Sequence, residues 1–229
     1  MEYLGIRDGV CVAPDREDLS EEESMKKPFR LLIAIPCMDY LHAEFVKSLV
    51  QLTTHLSREG IAFAVDIHAG SLVYMARNRM ACKAVNESFT HLLFLDSDMV
   101  FDESIVETLM FSDKEMVCGA FQSRRPPYGS CVFSSLKPLT KVKSYGLEPF
   151  QVAGCGMAMT MISTEVIKDV QAKFGNCFDP ATLEGISFGE DLAFCWRANK
   201  SGHEIWCEPT ARVGHIAHVP IWPGEEPAT

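Results

Sequence analysis

Two carboxylates one residue apart, Asp96 and Asp98, directly follow the apolar run Leu92-Leu93-Phe94-Leu95. An interior strand does not end in two carboxylates for packing, because each buried charge must be paired or bind a cation. Hard divalent cations such as Mg²⁺ and Mn²⁺ take oxygen ligands and often hold a ligand's phosphates in their remaining positions. Asp96-Ser97-Asp98 therefore reads as the end of a strand that presents a metal to a phosphorylated ligand. The structural alternative is that Asp98 or Asp102 caps the next helix. A second acidic pair, Glu190-Asp191, precedes Leu192, Cys195, Trp196 and Asn199, which have helical spacing. Both carboxylates then occupy a first helical turn, where the dipole favours negative charge and predicts an ionised Asp191. His215 and His218 arrive late in the chain, and a lone histidine reads as a structural residue unless it has such company.

The elements that must position these groups alternate. Phe29 to Pro36 is a short apolar run of the kind found in buried parallel strands, stopped by Pro36 and followed by the turn Cys37-Met38-Asp39. Phe45, Leu49, Leu52 and Leu56 recur at helical spacing, with Gly60 as the stop. Ile61–Ile67 predicts a second strand with Asp66 near its end, and His68-Ala69-Gly70-Ser71 a loop beyond it. A helix over Leu72–Glu87 carries Ala76-Arg77-Asn78-Arg79, and the strand ending at Asp96 comes third. Strand, helix, strand, helix, strand implies right-handed crossovers and a parallel sheet covered on both faces. Ligands of such sheets bind at the carboxyl ends of the strands, where Asp39, Asp66 and the Asp96/Asp98 pair all fall. Further on, Glu103–Phe111 predicts a short helix, Glu115–Phe121 a strand, and Val152–Ile162 a glycine-rich turn entering another strand. Ser163 is placed to cap a helix that Gly175 stops, and Gly202 stops the helix that begins with Glu190.

Composition bounds the rest. The 229 residues suit one domain, 29–218, between an acidic leader (1–28) and a short tail (219–229). A hydrophobic content of 47% is ample for a full core, and a net charge of −10 argues against a chain that coats nucleic acid. The segment 122–143 is an excursion of different character, with Arg124, Arg125, Lys137, Lys141 and Lys143 and no acidic residue. It is either a solvated surface loop or a face for a polyanion. Nine scattered cysteines without a Cys-x-x-Cys pair point to buried reduced thiols in a cytoplasmic protein rather than zinc or a disulfide framework. No apolar run of membrane-spanning length is present.

The ordered set resembles the GT-A fold glycosyltransferases, nucleotide-sugar-dependent enzymes of the family 2 type. The residues that carry the resemblance are the strand Leu31–Pro36, Ala76-Arg77-Asn78-Arg79, Asp96-Ser97-Asp98, and Gly189-Glu190-Asp191-Leu192-Ala193-Phe194 with His215 about two dozen residues later. Compact members, some encoded by phages, look most similar, and the cytoplasm of a cell or of a phage-infected host is the expected setting. The fold it implies is α/β, a Rossmann-like nucleotide-binding sheet with helices on both faces and a mixed C-terminal part. The resemblance implies Mn²⁺ or Mg²⁺ at Asp98, with Asp96 helping through the ribose or the metal, and His215 completing the site. Arg77 is expected at the donor diphosphate, with Asn78, Arg79 and Ser97 beside it. Asp66, Pro36 and Asp39 are expected in the base and ribose pocket. Asp191 is the expected general base for the acceptor hydroxyl, with Glu190 contacting the acceptor or orienting the site.

A UDP-sugar is the expected donor, and glycan, protein, lipid and hydroxymethylated DNA bases are all open as acceptors, DNA through the Arg124–Lys143 stretch. The turn Pro36-Cys37-Met38-Asp39 departs from the family, many of whose members carry a Thr or Ser and an Asn there. Two other readings compete. A sugar-phosphate nucleotidyltransferase would carry a glycine-rich loop with Arg and Lys after the first strand, which Pro36-Cys37-Met38-Asp39-Tyr40 is not. A non-catalytic nucleotide-sugar-binding module would keep the carboxylates for structure alone.

Overall fold

The computed structural model describes residues 28–217 except Ser71, Pro127 and Glu184, together with the backbone of residues 6, 7, 10 and 11. Almost all of the predicted leader, and the tail 219–229, lie outside the described residues, as does His218. Two short paired strands fall within the leader, β1 (Ile6–Arg7) and β2 (Val10–Cys11).

Next come β3 (Arg30–Cys37), α1 (Ala43–Arg58), β4 (Ala62–Ala69), α2 (Val73–Asn86) and β5 (His91–Leu95). They continue into β6 (Met99–Val100), α3 (Ile105–Phe111) and β7 (Met116–Ala120). The excursion supplies β8 (Val132–Leu136) and β9 (Leu139–Lys141), followed by β10 (Phe150–Val152), β11 (Gly154–Cys155) and β12 (Met159–Ser163). The chain then forms α4 (Thr164–Phe174), β13 (Ala181–Leu183), β14 (Ile186–Phe188), α5 (Glu190–Lys200), β15 (Ile205–Arg212) and β16 (Gly214–His215).

Seven strands form the main sheet in the order β10-β15-β7-β12-β5-β3-β4. β3 pairs in parallel with both β4 and β5, so the predicted parallel α/β start is present. The C-terminal half is mixed, because β12 enters antiparallel between β5 and β7. β15 then runs parallel to β7, and β10 closes the edge antiparallel. This is the fold class expected from the sequence.

Strands that are apolar on both faces need cover on both. On one face Leu32, Ala34, Leu92, Phe94 and Ile162 pack with Met80 and Ala84 of α2, Val166 and Val170 of α4, and Phe194 of α5. On the other, Leu31, Ile33, Ile35, Leu93 and Met161 pack with Phe45, Leu52 and Leu56 of α1 and Val106 and Leu109 of α3. The helix stops behave as predicted, since Gly60, Gly175 and Gly202 all have φ between 69° and 95°. Ser163 caps α4 by accepting from the Glu165 N–H.

Three local expectations are corrected. Pro36 does not stop the first strand: β3 runs through it to Cys37, with Pro36 opposite His68. The ladder to β5 has already ended at Ala34, and a proline, which lacks an N–H, is tolerated beyond such an end. His68 and Ala69, expected in a loop, belong to β4. The expectation of reduced thiols holds for Cys37, Cys118, Cys131, Cys155, Cys177, Cys195 and Cys207, whereas Cys82 on α2 is disulfide-bonded. No helix among the described residues is long and apolar enough to cross a membrane.

Candidate active site

The carboxyl ends of β5, β7 and β15 and the start of β12 meet at one edge of the sheet. Asp96 leaves β5 with its N–H bonded to the Ala158 carbonyl just ahead of β12. The turn Asp96-Ser97-Asp98 is held at both sides: the Ser97 carbonyl accepts from His42 ahead of α1, and the Asp98 carbonyl accepts from Ile216. Pairing of β16 with β6 sets His215 opposite Met99, next to Asp98.

The two aspartates face different partners. Asp96 accepts from Nη2 of Arg77 at 2.8 Å. Arg77 comes from the second turn of α2, its side chain is 3% exposed, and its guanidinium lies over the Phe94 ring. Phe94 in turn meets Phe178 edge-on, and Phe178 stacks on Phe194 of α5 at 4.4 Å. The other side of Arg77 faces Glu190, with Nε 3.7 Å from Oε1, too long for a hydrogen bond. Nε and Nη1 of Arg77 are buried and have no hydrogen-bond partner. Two unmet donors on a buried cation are rare in a folded protein and call for an explanation.

Asp98 is buried and faces His215 and Arg124 through a single oxygen. Nε2 of His215 is 3.3 Å from Asp98 Oδ2, and Nη1 of Arg124 contacts the same atom. The Gln122 carbonyl accepts from Nδ1 of His215 at 2.9 Å, and a carbonyl can only accept, so Nδ1 carries a proton and Nε2 is the nitrogen that faces the Asp98 carboxylate. Burial alone would raise the Asp98 carboxyl, but the His215 hydrogen bond and the charges of His215 and Arg124 hold it below the usual carboxylate value. His215 moves the opposite way, raised chiefly by its bond to Asp98 against the opposing effect of burial.

An imidazole nitrogen with its tautomer fixed, converging with a carboxylate oxygen, fits a Mn²⁺ or Mg²⁺ ion that draws its other ligands from a diphosphate and water. The expected three-residue set is corrected, because Asp96 is committed to Arg77 instead. Among the described residues no three His, Cys, Asp or Glu side chains converge so as to hold a metal.

Glu190 and Asp191 open α5 behind Gly189, as expected. The structure gives Asp191 a higher carboxyl value than the helix dipole predicts, one at which the group is still mostly ionised at neutral pH. Burial, followed by the charge of Glu190, pushes its carboxyl up to about 6, against the lowering effects of the Leu192 N–H and Arg77. A helix N-terminus is weaker than desolvation next to a like charge. Asp191 lies beside Gly156, where an added Cβ would stand 3.6 Å from Oδ2 and 3.0 Å from the Phe121 ring. The glycine thus keeps the approach to this carboxylate open. The Cys131 thiol, pushed up to about 11 chiefly by burial, feels the charges of both Asp191 and Asp96.

The remaining expected residues are not all drawn in. Asn78 is used structurally: its Oδ1 accepts from the Phe178 N–H and its Nδ2 donates to Asp179. Asp66 sits mid-strand, ion-paired with Lys83 of α2 at 3.1 Å. Pro36 is buried within β3. Arg79 and Asp39 are exposed, Asp39 in the loop that His42 ties to the Ser97 turn. Asp102 does not cap α3, whose N-cap is Ser104; it accepts from the N–H and hydroxyl of Ser104 in the turn ahead of the helix. Arg124, expected in a solvated loop or a polyanion face, is exposed but pairs with Asp98. Its one sequence signal is a cation with no acidic residue near it in the chain. A separate cavity of about 230 Å³ lies between α5 and the β8–β9 and β13–β14 hairpins, lined by Leu136, Ile186, Phe188 and Trp196, and none of the charged groups above lines it.

No family model and no curated protein matches this sequence. Among solved structures, the chain is similar to A197 from STIV (18% identity, TM-score 0.48, 86% of this chain and 98% of that one). It is also similar to the catalytic domain of Drosophila β1,4-galactosyltransferase 7 in complex with xylobiose (14%, 0.49, 83% and 71%). A third is a glycosyltransferase involved in glycosylation of the major capsid of PBCV-1 (15%, 0.36, 63% and 66%). At these identities and TM-scores, the reaction has to be argued from this chain's own residues.

Proposed function

We propose that this protein is a glycosyltransferase that moves a sugar from a nucleoside diphosphate sugar to an acceptor hydroxyl. The observation that carries the reading is Arg77: a guanidinium buried between Asp96 and Glu190, with two donors unmet, close enough to Asp191 for its charge to act on that carboxyl. A buried cation with open donors recognises the diphosphate and steadies it as it departs. Asp96, held by Arg77, is oriented toward the donor's ribose rather than left to swing. Asp98 and His215 are the residues that would hold Mn²⁺ or Mg²⁺, which when bound neutralises charge on the leaving diphosphate.

Asp191 takes the proton from the acceptor hydroxyl. Its carboxyl at about 6 is a better base than an ordinary aspartate, since efficiency rises as the base approaches the working pH. Glu190 sustains that value by its like charge and also faces Arg77. UDP-sugars are the first donors to test, and glycans, protein hydroxyls and hydroxymethylated DNA the first acceptors. For DNA, Arg124 leaves the set of candidate phosphate contacts, while Arg125, Lys141 and Lys143 stay exposed.

The test is slow donor hydrolysis across a panel of nucleotide sugars, with Mn²⁺, Mg²⁺ or chelator, and Asp98→Ala as control. One donor consumed only with metal, and spared by the variant, supports the reading. No consumption, together with no thermal stabilisation by any donor, removes it.

A further inference from the structure

We infer that Arg124 is a built-in counter-ion of the Asp98–His215 pair, which keeps a divalent ion out until a nucleoside diphosphate draws the guanidinium away. The inference rests on the nucleotide-sugar reading of this site. Arg124 and His215 address one and the same oxygen, Oδ2 of Asp98. A guanidinium and a divalent ion cannot share that oxygen at hydrogen-bonding range, because their mutual repulsion is strong where water is scarce. Metal binding at that oxygen therefore requires Arg124 to leave.

The surrounding backbone permits this. The segment is pinned at its base by the Gln122–Ser130 bridge and by the Ser123 N–H bonded to the Gly129 carbonyl. Gln122 also anchors His215. Arg124 lies just beyond these fixed points with its side chain 42% exposed, so it can turn outward without disturbing His215. A diphosphate beside Asp98 offers the displaced guanidinium a bidentate partner. Metal and diphosphate then bind with positive coupling, each strengthening the other by the same factor. The donor-free protein holds metal weakly, which limits metal-driven chemistry before a donor is seated.

The experiment measures Mn²⁺ binding by electron paramagnetic resonance and calorimetry, on the full chain, with and without UDP. It compares wild type, Arg124→Gln and Arg124→Lys. Without UDP, Arg124→Gln is expected to bind Mn²⁺ roughly tenfold more tightly than wild type, the scale of one charge-assisted hydrogen bond. Its UDP-linked gain in Mn²⁺ affinity should shrink by a similar factor, and Arg124→Lys should behave like wild type. Equal Mn²⁺ affinity of wild type and Arg124→Gln without UDP, while both bind UDP in a metal-dependent way, overturns the inference and leaves the site reading intact. If no protein of the three binds UDP with or without Mn²⁺, the nucleotide-sugar reading fails and the inference fails with it.

Discussion

Replacing Asp191 by asparagine removes a charge that the fold holds at a cost, so the variant should be more stable and inactive at once. The folded carboxyl titrates at about 6, against an ordinary value of 3.8. That gap is a little over two units, and each unit is worth about 1.36 kcal/mol, which sets a ceiling of about 3 kcal/mol on the cost of ionising it in place. The side chain is only partly shielded from solvent, so about 1–2 kcal/mol is the expected size after screening. The sign follows from the raised value. Between pH 3.8 and 6 the folded state binds a proton that the unfolded state has lost. The protonated group's contribution is complete below 3.8 and disappears as pH rises through about 6. At pH 7.5 wild type carries the full penalty and Asp191→Asn carries none, while the Leu192 N–H keeps an oxygen acceptor in the variant. Urea unfolding at pH 7.5 and at pH 4.5 measures this directly, and the variant's Tm at pH 7.5 should rise by about 2–8 °C. Transfer, by contrast, should vanish with the base. A variant no more stable than wild type at pH 7.5, or a stability difference that does not shrink by pH 4.5, refutes the electrostatic account of this carboxylate.

Wild-type transfer should rise with pH along a limb centred near 6, and Glu190→Gln should move that limb to lower pH, since Glu190 is the second cause of the elevation; a pH–rate profile of both proteins checks it. Arg77→Met should abolish donor-induced thermal stabilisation and lower unfolding stability by about 2–3 kcal/mol, less than the roughly 3–5 kcal/mol of a fully buried pair because Asp96 keeps some solvent. Asn78→Ala should cost about 2 kcal/mol in urea unfolding, since it strands the Phe178 N–H and removes one of the donors to Asp179, yet leave the donor's dissociation constant within about threefold. A large loss of donor affinity in a folded Asn78→Ala protein would return that residue to the donor site.

Much of the scaffold was legible in the chain because its signals are local. Phe45, Leu49, Leu52 and Leu56 face one way only on a helix, and that stripe is what α1 buries. Ser163 and Gly175 bracket α4 for reasons confined to one turn of backbone. The pairs Asp96/Asp98 and Glu190/Asp191 stood out because charge beside buried apolar runs has few structural explanations. Less legible were the points that depend on a neighbour. Pro36 looks like a strand stop until the ladder to β5 is seen to end before it.

The sequence by itself determined which residues bear charge at the ends of apolar strands, where the helices begin and stop, and that the first half is a parallel α/β layer. Only the tertiary structure decided how those charges are matched. Asp96 faces Arg77 across 19 residues and Asp98 faces His215 across 117. The antiparallel entry of β12 between β5 and β7 brings Gly156 and Asp191 to the edge where Asp96 emerges. The Asp191 carboxyl is raised because of what surrounds it in space, overriding a helix dipole that local reasoning sees first. Propensity and periodicity act over one or two turns of chain. Desolvation and ion pairing act over a few ångströms of space, and no local pattern states which distant residue will fill them.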